Sequence, residues 1–86
     1  MGFNITIART DKQAPPVVRD GGDTLQSSMI ELGKIIATIG DIYGVHGKVY
    51  VEEIDDELSA SRYLGWYEGD VFKPFIIVTL SARAHA

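Results

Sequence analysis

"DTLQSSMIELGKIIATIGDIYG", residues 23–44, decides the architecture of this chain. Leu25, Met29, Leu32, Ile36, Ile39 and Tyr43 recur at alternating four- and three-residue steps, which lines them along one face of an α-helix. Asp23 and Gln26 stand at capping-box spacing, so each side chain can satisfy an otherwise unpaired backbone group at the helix start. Gly44 suits the left-handed position just past a helix end, where a side chain would be strained. The spacing therefore predicts one helix ending at about Tyr43, with its apolar stripe on a sheet. Ile35 and Ile42 flank that stripe on one side, and Ile30, Gly33, Ala37 and Gly40 on the other. Only Ser27, Glu31, Lys34, Thr38 and Asp41 are left for water, a narrower polar arc than a helix wetted along one side carries. The helix is expected to be covered on more than one side.

On the N-terminal side, "FNITIART" (3–10) alternates Phe3, Ile5 and Ile7 against Asn4, Thr6 and Ala8, as a strand with one buried face requires. Between this strand and the helix, residues 11–23 hold two prolines and two glycines and are expected to form a loop. On the C-terminal side, "KVYVEEID" (48–55) reads as a strand with Val49 and Val51 on one face and Tyr50, Glu52 and Ile54 on the other. Residues 56–64 read either as an exposed turn around "LSAS" or as one or two helical turns ending at Gly65. The aromatic stretch 62–68 favours a strand, and "EGD" (68–70) gives the turn of a hairpin with the last segment. Pro74 cannot donate a ladder hydrogen bond, so pairing is interrupted there or that end lies at an edge. "FIIVTL" (75–80) is apolar on both faces and belongs in a covered strand. Residues 83–86 read as a frayed tail.

These elements predict a single α+β domain over residues 1–86, a two-layer sandwich in the order β-α-β-β-β. One long helix packs on a mainly antiparallel four-stranded sheet. A chain of 86 residues has material for one core only, and a core of this size is marginal without a disulfide, a metal or a partner subunit. Cysteine is absent, which removes disulfides and thiolate metal sites and favours a reducing, cytoplasmic setting. One helix covers one sheet face, so apolar surface is left over. At about 25 cal/mol per Å², hiding roughly 600 Å² of it is worth on the order of 15 kcal/mol before association costs. A homodimer is expected, through Ile30, Gly33, Ala37 and Gly40 of the helix or through a sheet face carrying Phe75 and Ile77.

The net charge is −4, the wrong sign for binding phosphate backbones by counterion release. The G-x-x-G of "YGVHGK" resembles the clamp loop of KH nucleic-acid-binding domains, but there the loop joins two helices, and here strand alternation follows. Nucleic acid is therefore an unexpected partner. The opening strand, the loop and the helix containing "MIEL" resemble the first half of the DNA-damage-inducible protein I family. That family's acidic, tryptophan-bearing C-terminal helix has no counterpart, and no function is carried over. Met1 leads straight into alternating residues, so no signal peptide is expected. Glu31, Lys34 and Asp41 keep the helix out of a membrane.

His46 and His85 lack the spacing of a zinc site, and no nucleophile stands beside an oriented base. Neither a metal, a cofactor nor a catalytic residue is expected. The stretch 52–70 instead holds seven of the twelve acidic residues against Arg62 alone. Glu52, Glu53, Asp55, Asp56 and Glu57 are the candidate contacts for a basic protein partner, because a cluster of one sign steers the other toward it. Tyr63, Trp66, Tyr67, Glu68 and Asp70 are the candidate contacts for a small cationic or aromatic ligand in a pocket at the dimer interface. The leading expectation is a small acidic protein-interaction module of adaptor or inhibitor type, with ligand binding as the alternative.

Overall fold

The alternation of residues 3–9 builds strand β1, Phe3–Arg9, with Ile5 fully buried. The computed structural model describes residues 2–83, which form two layers: a five-stranded antiparallel sheet and one helix. In chain order the further elements are β2 (Val17–Gly22), α1 (Leu25–Tyr43), a 3-10 turn (Gly44–His46), β3 (Tyr50–Asp55), β4 (Ser59–Glu68) and β5 (Val71–Ala82). In space the strands run β2-β1-β5-β4-β3. The α+β class is as expected. The sheet has five strands rather than four, and the order is β-β-α-β-β-β.

The extra strand lies inside the expected loop. Residues 17–22 pair with β1 from Ile7↔Val17 to Phe3↔Gly22, with a bulge at Phe3/Asn4. Pro15 and Pro16 stop short of the ladder, and Gly21 and Gly22 end the strand at the bulge, so the residues that signalled a loop lie before the strand and at its last two positions. A side chain at Gly21 would be crowded, because a Cβ there would sit 3.2 Å from the Phe3 carbonyl oxygen and 3.3 Å from Cγ1 of Ile5. In the remaining turn, the Gln13 N–H donates to the Asp11 carboxylate at 3.0 Å and, with Arg9, holds its pKa below the ordinary value.

Both helix ends differ in detail from expectation. The cap is Thr24, not Asp23: Thr24 is extended (φ −118, ψ 154), and its hydroxyl accepts from the Ser27 N–H at 3.1 Å. The helix starts one residue later than the capping-box spacing implies, so Ser27 takes the place expected of Gln26. At the other end Gly44 is right-handed (φ −62), because the chain continues into the 3-10 turn. The positive φ of 146° falls instead on Gly47.

Registers and burial show which side chains meet α1. Ile76, Val78 and Leu80 of β5 stand beside Leu64, Arg62 and Ala60 of β4, and all six are buried. Leu32, Ile35 and Ile39 close over them with Ile5 from β1. β5 is thus the covered strand that "FIIVTL" predicts. Pairing does break at Pro74: Leu64 faces Ile76 but Gly65 faces Pro74, leaving Phe75 as an extra residue. "EGD" makes the β4–β5 turn with Gly69 at φ 64. Residues 59–64 belong to a strand, so neither the turn around "LSAS" nor the short helix forms there.

The opposite sheet face is less apolar than expected. Its centre carries Asn4, Thr6, Thr79 and Ser61, with Ile77 and Tyr63 half-buried among them. Phe75 is not on it, since the irregularity turns this ring to the helix side. At the C-terminus the Arg83 N–H donates to the Gly2 carbonyl at 2.8 Å, and its guanidinium pairs with Asp20. That residue is held; the rest of the expected tail lies outside the described residues. Among the described residues no helix is long and apolar enough to cross a membrane.

Candidate interaction groove

The helix packs toward β2, β1 and β5, which leaves the helix side of β3 bare. Leu25 and Met29, expected to face the sheet, are 56% and 36% exposed. They form the wall of a groove between α1 and the β3–β4 hairpin. Near the start of the helix, a hollow of about 320 Å³ is lined by Phe3, Leu25, Met29, Leu58, Ala60 and Leu80, with Asp55, Asp56 and Glu57 at its rim. A second hollow of about 310 Å³ adjoins it through Met29, between Gly33 and Ile36 of the helix and Val51 and Glu53 of β3. Leu58, at 77% exposed in the tip of the hairpin, overhangs the first.

Arg62 is the buried charge of this region, 8% exposed in the floor of the second hollow. Its guanidinium donates to the Asp55 carboxylate and to the Ser61 carbonyl, and its Nε lies 3.9 Å from Glu53. A buried arginine needs such partners, since an unpaired buried charge is costly. Two of the five expected acidic contacts, Glu53 and Asp55, are therefore partly spent inside the chain. Glu52, Asp56 and Glu57 form no ion pair among the described residues, and all three are exposed. Glu52 lies on the far face of β3, while Asp56 and Glu57 stand on the groove rim.

The expected ligand residues divide between the two faces. Trp66 lies on the helix side, stacked on Phe75 at 4.3 Å and edge-on to Tyr43 at 6.5 Å. Its Nε1–H is buried without an acceptor among the described residues. Gly47 passes close by, its missing Cβ 3.8 Å from that nitrogen. Tyr63 and Tyr67 lie on the other face, where Tyr67 meets Tyr50 at 4.9 Å and Phe72 at 5.4 Å. Lys48 stands 4.9 Å over the Tyr50 ring. Glu68 and Asp70 flank the exposed β4–β5 turn. These five residues do not converge on one pocket.

Of the expected dimer contacts, Ile30, Gly33 and Ala37 are exposed and Gly40 is half-buried; a Cβ built on either glycine would meet nothing within 4 Å. This strip runs along the groove flank of the helix. His46 is exposed in the 3-10 turn, and His85 lies outside the described residues. No group of three or more potential metal ligands occurs among the described residues.

No known protein family matches this chain, and no curated protein or solved structure is found to resemble it. Function is therefore read from the groove itself. The sequence marks its acidic rim but not its apolar wall. The signal for the wall is the helix flank, where Met29, Ile30, Gly33 and Ile36 are too apolar for a wet surface.

Proposed function

We propose that the protein is a small acidic interaction module, cytoplasmic and of adaptor or inhibitor type, which captures a basic amphipathic segment of another protein between α1 and β3. The observation that carries this reading is an apolar trough with uncommitted carboxylates along one side. Apolar side chains of the partner would cover Leu25, Met29, Val51 and Leu58, and its lysines or arginines would meet Asp56, Glu57 and Glu52. The reading is of a binder rather than an enzyme. It includes a homodimer in which two copies meet along Ile30, Gly33, Ala37 and Gly40, a contact that leaves the backbone edge of β3 free but competes with the segment for the groove flank at Gly33.

The test uses synthetic lysine–valine and lysine–leucine peptides of strand-like and helix-like spacing, titrated against the wild type and a triple variant, E52Q/D56N/E57Q. Glu53 and Asp55 are left in place so that Arg62 keeps its partners. At about 0.5 kcal/mol for each exposed charge pair, the variant should bind about tenfold more weakly, and the wild type should weaken with salt. Equal affinity of the two proteins, or no binding of any peptide, refutes the reading.

A second reading, a binder of small organic cations, draws on the Tyr50–Tyr67–Phe72 ring group, where a ligand cation would displace Lys48 from the Tyr50 face. Ring faces grouped in this way attract cations.

A further inference from the structure

The two edges of the sheet are built differently. β2 is entered through Pro15 and Pro16, carries the Phe3/Asn4 bulge, and is held by α1 and by the Asp20–Arg83 pair. Such devices keep an edge from pairing with other chains. β3 is tied to β4 by the Arg62 ion pairs but has no proline, bulge or helix contact of this kind: its six residues are all exposed, and it pairs with β4 from Tyr50↔Gly65 to Asp55↔Ala60 without a break. The outer row of backbone donors and acceptors on β3 is therefore regular and open.

The charges on β3 decide what can use that row. Two copies of β3 paired antiparallel near full overlap would set Glu52 or Glu53 opposite its own counterpart or opposite each other. Like charges directly across a ladder are destabilising, and opposite charges stabilising. The strand thus rejects a second copy of itself and favours one bearing lysine or arginine. Side chains of an added strand alternate in direction, so one set would lie over the groove next to Val51, Glu53 and Asp55, the two carboxylates being turned to Arg62, and the other next to Tyr50, Glu52 and Ile54.

We propose that the outer edge of β3 takes an extended partner segment as a sixth strand, with its apolar side chains filling the groove beside α1 and its basic side chains beside Glu52. This rests on the reading that the groove receives a basic segment, and adds the backbone as the element recognised. Main-chain hydrogen bonds would give the affinity, and the alternation of the segment its specificity.

The probe is a short alternating valine–lysine peptide added to the full chain. Three controls accompany it: the same composition at helical spacing, an alternating valine–glutamate peptide, and the first peptide N-methylated at alternate backbone nitrogens. Binding of the alternating basic peptide should slow amide exchange within residues 50–55 by about tenfold or more, and N-methylation should weaken it by a similar factor. The strand mode is overturned, with the groove reading intact, if the N-methylated or helix-spaced peptide binds as well, or if only the Met29 and Leu58 methyl signals respond. Equal binding of the valine–glutamate peptide overturns the charge selection. If no peptide binds, this proposal and the reading beneath it fail together.

Discussion

Gly65 has no room for a side chain. A Cβ there would fall 2.2 Å from the Lys73 carbonyl oxygen and 2.6 Å from the Cα of Pro74, both backbone atoms that a rotamer change cannot move. The cause is the irregular pairing opposite, where Pro74 faces Gly65 and Phe75 is squeezed out to stack on Trp66. Gly65→Ala should therefore destabilise the fold by about 3 kcal/mol, the upper range for forcing volume into a packed site, measured by urea unfolding. A change below about 0.5 kcal/mol would show that the two strands separate freely here. Pro74 announced the interruption in the sequence, since it has no N–H to give. Gly65 did not, because a glycine among aromatic residues reads as a weak strand position until its cross-strand partner is known.

At the scale of elements, the helix was legible and its neighbourhood was not. Leu32 and Ile39 of its stripe could be read from spacing alone, because a period of 3.6 residues is a local property, but Ile35, read as a flank, is buried with them and Ile36 turns to the groove. Which strands the stripe would cover depends on the width of the sheet, and that depended on β2, six residues of which the last two are the glycine pair and only "VVRD" reads as strand. With β2 present the helix sits toward that edge, and Leu25, Met29 and the strip from Ile30 to Gly40 are left beside β3. Gly33 tests this placement. Nothing lies within 4 Å of a Cβ built there, so Gly33→Ala should raise the stability of the single chain by about 0.5–1 kcal/mol, the ordinary gain on replacing glycine inside a helix. A loss of stability in dilute solution would mean that the helix flank is more tightly packed than described.

For the molecule as a whole, leftover apolar surface lies at the helix flank, one of the two expected places, and not on the far sheet face. The sheet face away from the helix carries threonine, serine and asparagine at its centre, while the helix side keeps Ile30, Leu25, Val51 and Leu58 partly or largely in water. The proposed homodimer predicts a sedimentation mass near twice 9.4 kDa at high micromolar concentration, falling toward 9.4 kDa on dilution. Gly33→Ala should shift that equilibrium toward the single chain, since an added methyl holds two helices apart where they cross. A constant single-chain mass in the wild type would remove the dimer and leave the groove proposal standing.

Trp66, the one tryptophan, is packed against Tyr43 at the last turn of the helix, whereas the carboxylate-rimmed hollow opens beside Leu25 and Met29 at its first. Nineteen residues of helix separate the ends by about 27 Å. Intrinsic emission will follow melting of the domain faithfully and stay nearly blind to whatever fills that first hollow. A silent fluorimeter trace therefore says nothing about occupancy of that hollow, and a dye on Leu58→Cys, in a chain otherwise free of thiols, gives the observer a lamp at the right end of the room.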